Sequence, residues 1–109
     1  MTLEPGAVDA VLSGLADPTR RAVLDALATQ GGATATTLSA QLPVSRQAVV
    51  KHLAVLERGG LVTSARSGRE VRYTVRPDRL DEAAHWMAAL ATQWETRLQA
   101  IKELAESED

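Results

Sequence analysis

The chain contains no cysteine. Disulfides and thiolate metal centres are therefore excluded, together with any chemistry that runs through a thiol. Phenylalanine is also absent, and one tyrosine and two tryptophans are the only aromatics. Aliphatic side chains must therefore build the core. No apolar run approaches the roughly 18 residues that mark a membrane-spanning helix. The opening residues, MTLEPGAVDAVL, have neither the basic start nor the long apolar stretch of a secretory signal, so a cytoplasmic, non-membrane protein is expected. Catalytic signatures are missing as well. There is no nucleophile elbow, no glycine-rich phosphate loop and no carboxylate pair in an apolar setting. The expectation is a non-enzyme without a cofactor.

The 109 residues fit one domain spanning 1–109. A chain this short has a limited core and gains from burial against a partner. Its net charge of −2 conceals a segregation. Residues 1–44 carry two basic side chains against four acidic ones, and residues 77–109 carry three against eight. Residues 45–76 reverse this, with Arg46, Lys51, Arg58, Arg66, Arg69, Arg72 and Arg76 against Glu57 and Glu70. Salt screens charge beyond roughly 8–10 Å, so a polyanion responds to this local patch and not to the total. A basic block between acidic flanks is the footprint of an oriented nucleic-acid binder.

The elements read in sequence order. A first helix over 5–15 places Val8, Val11, Leu12 and Leu15 on one face. Asp17 and Pro18 supply the N-cap and first position of a second helix, which buries Val23, Leu24 and Leu27 and ends at Gly31-Gly32. A short third helix covers about 36–42, with Leu38 and Leu42 inward and Pro43 ending it. Ser45 caps a fourth helix that runs to Arg58 with Val49, Leu53 and Leu56 as its core stripe. After Gly59-Gly60, Leu61 and Val62 lead into a strand, Ser67-Gly68 makes a two-residue hairpin turn, and the return strand alternates Val71, Tyr73, Val75 against Glu70, Arg72, Thr74, Arg76. The fold class expected is mainly α with a small β-hairpin, a winged helix-turn-helix in the order α-α-α-α-β-β-α. Its parts are an N-terminal helix over 1–16, a core over 17–76 with a wing at 61–76, and a C-terminal helix over 77–106.

Pro77-Asp78 opens that last helix. Leu80, Ala84, Met87, Ala91, Trp94, Leu98, Ile101 and Ala105 follow one another at alternating spacings of four and three. This is a heptad seam, widened by Trp86, Leu90 and Leu104. Such a seam faces a helix running alongside, and a helix roughly 40 Å long at 1.5 Å per residue outreaches a small domain. A homodimer through this helix is expected, with the first helix joining in. The interface residues are Val8, Leu12, Leu80, Met87, Trp94, Leu98 and Ile101.

Opposite the core stripe of the fourth helix lie Ser45, Arg46, Gln47, Val50 and Lys51. Gln47 suits adenine N6 and N7, Arg46 suits guanine O6 and N7, and Val50 suits a thymine methyl. Ser45 and the free amides of the first turn suit a phosphate, as does Lys51. Alone, this face would read as solvated surface; followed directly by a basic hairpin, it reads as a surface for double-stranded DNA. Arg66 and Arg69 flank the hairpin turn, with Arg72 further along, and are expected to make mainly backbone or minor-groove contacts. His52 has two open roles, a donor to phosphate or a structural bridge from the helix to the hairpin. The rival assignment is a winged helix that docks an acidic protein without operator specificity.

The segments LADPTRRAVLDAL, LSAQLPVSRQAVVKHLAVLERGGLV and RSGREVRYTV resemble those of the ArsR-type family of bacterial transcriptional regulators. The resemblance implies a dimeric winged helix that represses by binding a palindromic operator, often its own. It also implies terminal helices at the dimer interface, and it makes His52-Leu53 a typical pair. The metal-sensing members carry a Cys-x-Cys motif in the third helix, where this chain reads LSAQLPV, or an Asp/His/Glu set on the last helix. Here only Asp81, Glu82, His85 and Glu95 are near, and their spacing fails. The tail HWMAALATQWETRLQAIKELAE resembles a metal-independent subgroup instead. Many members carry Ser where this chain has Val50, which implies a different base preference. An effector, whether a small molecule or a protein, is compatible with the pattern and is not named by it.

Overall fold

The computed structural model describes residues 5–107. Its elements are α1 (Pro5–Ala16), α2 (Pro18–Gln30), β1 (Ala33–Thr34), α3 (Ala35–Gln41), α4 (Arg46–Arg58), β2 (Val62–Ser67), β3 (Glu70–Val75) and α5 (Pro77–Ser107). Residues 1–4 of the expected N-terminal helix lie outside the described residues. The expected third helix begins and ends one residue earlier, because Thr34 caps it by accepting from the Thr37 amide and Leu42 is its extended C-cap.

The sheet has three antiparallel strands in the order β1-β3-β2, not the two of the expected hairpin. Gly31 and Gly32 at φ 70° and 119° turn the chain out of α2 and lay Ala33 opposite Tyr73 and Thr34 opposite Arg72. A Cβ on Gly32 would sit 2.8 Å from Thr74 Cγ2 and 3.1 Å from the Tyr73 carbonyl oxygen. Only glycine permits this approach, and a two-residue strand has no periodicity to betray it. The wing turn is also shifted by one residue. Ser67 pairs with Glu70, so the turn residues are Gly68 and Arg69. Gly68 has φ 62° and no non-glycine residue has positive φ, the sign pattern of a type II′ turn. A turn at Ser67-Gly68 would have set Arg66 directly opposite Arg69, a like-charge pair that destabilises a hairpin.

The core is aliphatic throughout. Val11, Val23, Leu27, Leu38, Val49, Leu53, Leu56 and Leu61 are fully buried. α1 lies against this core, and Gly14 admits Leu61, whose Cδ1 would be 2.9 Å from a Cβ there. Val8 corrects an expectation. It is 6% exposed and belongs to the core of its own protomer, while Leu12, at 41%, is the α1 side chain turned outward. Two arginines tie α1 to α2. Arg20 and Arg21 donate through Nη1 to the carbonyls of Ser13 (2.7 Å) and Leu15 (2.6 Å), satisfying the free acceptors at the end of α1.

Capping fixes the starts of α2 and α4. Asp17 accepts from the Arg20 amide at 3.0 Å, and chiefly this bond holds its carboxyl below the usual carboxylate range. Its folded-state pKa is depressed, so its contribution to stability is present above the unfolded value and is lost as pH falls through the folded one. Ser45 accepts from the Ala48 amide at 3.1 Å. Ser45→Ala is expected to cost about 1 kcal/mol in urea denaturation, whereas Ser45→Asp, another good cap, stays near wild type.

α5 docks only by its first turns. Leu80 packs on the core and Ala83 is the one buried α5 residue among those described. From Ala84 to Ser107 every residue is exposed, a projection of roughly 36 Å that draws the protomer out to 72 × 29 × 21 Å.

Candidate nucleic-acid interface

The stripe Val49, Leu53 and Leu56 fixes how α4 is rotated, because all three are buried. At 100° per residue this turns Gln47, Lys51 and Arg58 directly outward and Arg46 and Val50 toward the wing. Gln47, Lys51 and Arg58 are exposed, and no hydrogen bond or ion pair among the described residues engages their side chains.

Between α4, the start of α3 and the wing lies an open cleft of about 450 Å³. Arg46 and Val50 form its α4 wall, Val71, Tyr73, Arg69 and Glu70 its wing wall, and Thr34 to Thr37 its third side. That third side was not among the expected contact residues. Its only sequence signal is the threonine-rich ATATT before Leu38, which a helix-capping reading absorbs completely. Arg46 also differs from a free side chain: its Nε donates to Thr36 Oγ1 at 3.2 Å.

The wing arginines divide by environment. Arg66 lies on the strand face shared with Val62, Val71 and Tyr73, and Arg69 sits in the turn; both are exposed. Arg72 is partly committed within the fold. It donates through Nη2 to the Gly32 carbonyl at 3.2 Å, pinning the α2–β1 turn to the central strand. Arg72 thus braces the turn beside the unexpected strand β1 through one terminal nitrogen, while its side chain stays exposed on the wing. Glu57, one of the two acids in the basic block, accepts from Ser64 Oγ at 2.6 Å. His52 is half-buried and, when charged, adds a minor electrostatic pull on the Asp17 carboxylate. On α4 it lies about 140° around the helix from Glu57, which reaches the hairpin at Ser64, so it points away from the wing.

The expected interface residues of α5 are spread along the projecting helix. Leu80 is partly buried against its own core. Met87, Trp94, Leu98 and Ile101 are 45%, 51%, 59% and 61% exposed, so exposure rises with distance from the domain. Arg97 lies over the Trp94 ring at 5.3 Å. Among the described residues no three His, Asp or Glu side chains converge as a metal site requires. His85 Nδ1 lies 3.8 Å from the Asp81 carboxylate one turn earlier, apart from Glu95. No helix among these residues is long and apolar enough to cross a membrane.

Comparison with known proteins fits this geometry. A family model described as a helix-turn-helix domain matches residues 15–65. The HTH-type transcriptional regulator YuzN of Bacillus subtilis is 43% identical over 70 residues, covering 59% of this chain and 76% of that one. The transcriptional repressor SdpR of the same organism is 29% identical over 71% of this chain and 84% of its own. The solved ArsR-like transcriptional regulator from Rhodococcus sp. RHA1 superposes with a TM-score of 0.83 at 38% identity, covering 92% of this chain and 93% of that one.

Proposed function

The chain belongs to the ArsR-type family of winged helix-turn-helix transcriptional regulators, DNA-binding proteins and not enzymes, and from that premise we propose that it is a dimeric repressor that binds a palindromic operator. α4 enters the major groove by the face of Gln47, Lys51 and Arg58, with Arg46 and Val50 at its edge. Ser45 and the first-turn amides of α4 hold a phosphate, and Arg66 and Arg69 of the wing follow the backbone or the neighbouring minor groove. Residues 77–106 pair two protomers, with Leu12 of α1 alongside, and residues 17–76 form the DNA-binding core. Repression is supported by the repressor named among the relatives. The absence of cysteine supports assignment to the metal-independent part of the family.

One observation carries this reading. Arg46 and Val50, at the edge of the exposed face of α4, and Arg69 of the wing border the same open cleft, and Gln47, Lys51 and Arg66 are exposed as well. Glu57, the acid of α4, lies off its outward face and accepts from Ser64, while Glu70 stands in the cleft wall beside Arg69. The test is a titration of labelled duplex from the upstream region of the gene at several salt concentrations. Log affinity is expected to fall linearly with log salt, with a sequence-specific part surviving at the highest salt. Equal, weak binding to every duplex would instead favour a winged helix that docks an acidic protein.

A further inference from the structure

Arg46 starts α4 already tethered. Its Nε donates to Thr36 Oγ1 at 3.2 Å, across the turn that separates α3 from α4. A guanidinium offers two edges to a bidentate acceptor: the side edge, made of Nε and one terminal nitrogen, and the end edge, made of both terminal nitrogens. Thr36 occupies Nε, so the end edge is the one left for a ligand. Thr36 is itself held on a fixed turn. The Thr37 amide donates to Thr34 Oγ1 at 3.2 Å, and Thr34 Oγ1 donates to Thr37 Oγ1 at 3.1 Å. Val50 and Tyr73 close the cleft on its other sides.

We propose that Thr36 is a positioning residue for base reading, holding Arg46 so that its two terminal nitrogens meet guanine O6 and N7 together. The inference rests on the reading that α4 enters the major groove. It goes beyond that reading by placing a residue of α3, with no contact to a base, in control of sequence choice. An untethered arginine samples many rotamers and serves a phosphate as readily as a base. A tethered one arrives with its fork already aimed.

The test uses the full chain and a duplex selected by it from a randomised library. Each guanine of that duplex is replaced in turn by 7-deazaguanine, which removes N7, and a scrambled duplex of equal length serves as reference. Wild type is expected to lose affinity about 10-fold at the guanine read by Arg46, and Arg46→Ala identifies that guanine by abolishing the penalty. Thr36→Val is expected to abolish the same penalty while leaving affinity for the scrambled duplex and the salt slope unchanged. Thr36→Ser retains the penalty, and Thr36→Ala repeats the result of Val should the β-branched variant unfold. Retention of the full penalty in Thr36→Val and Thr36→Ala would overturn the proposal. So would a uniform weakening on all duplexes with a shallower salt slope, which marks a phosphate contact. If Arg46→Ala itself leaves every guanine penalty intact, the failure lies in the orientation of α4 and removes the foundation of the inference.

Discussion

Leu98→Glu is expected to convert the protein to monomers in sedimentation and to weaken specific operator binding by about 100-fold or more, with the domain still folded. Leu98 is 59% exposed in the protomer and is separated from the core by several helical turns. Its replacement therefore removes nothing from the protomer's own packing. The apolar side chains around it, Met87, Trp94, Ile101 and Leu104, are between 45% and 67% exposed, a continuous face with no function in isolation. In a twofold pair each contact is made twice. Burying three such side chains per subunit yields a gross gain on the order of 10 kcal/mol, comparable with the ~4–15 kcal/mol that association costs. A glutamate at position 98 of each subunit puts charge into that seam without a partner. Trp94→Glu is expected to act likewise and also removes the surface on which Arg97 rests. Operator affinity falls because a palindrome is read by two modules held at a fixed spacing, and a monomer reads one half-site. A variant that sediments as a dimer would show that another surface pairs the chains.

Gln47→Ala is expected to cost about 1–3 kcal/mol against the best operator and to relax discrimination at a single base position. The three buried residues of α4 set Gln47 on its outward side near the N-terminus, where a recognition helix makes its base contacts. An amide at that place donates to adenine N7 and accepts from adenine N6 at once. The variant leaves a short side chain on an exposed surface, so stability should move by less than about 0.5 kcal/mol. Selection from a randomised duplex library by both proteins provides the measurement. An unchanged preference at every position would mean that a different face of α4 reads the bases.

Much of this arrangement was legible in the residues because it is set locally. Asp17-Pro18 and Ser45 announce their helices through side chains that cap within three residues. The stripe of α4 and the seam of α5 are periodic, and periodicity survives without knowledge of the rest of the fold. What escaped depends on contacts between distant segments. Val8 and Leu12 lie one turn apart on the same apolar face, and nothing local says that the core takes one and leaves the other. Two residues of β1 become a strand only because the glycines at 31 and 32 fold them against β3, forty residues on. That same strand gives the exposed Arg72 a tie back to the fold, at the Gly32 carbonyl. The shift of the wing turn by one residue follows the demand of Gly68 for the first central position. Thr36 was hidden because a threonine at a helix start already has an ordinary explanation, and its bond to Arg46 spans ten residues and a turn.

A footprint of the operator by the full chain, with the stoichiometry of the complex measured on the same sample, bears most directly on the paired grip. The expected result is two protected major-groove patches on one face of the duplex, about 10 base pairs apart or a multiple of that, with two chains bound per duplex. A single protected patch occupied by one chain, at full specific affinity, would contradict it.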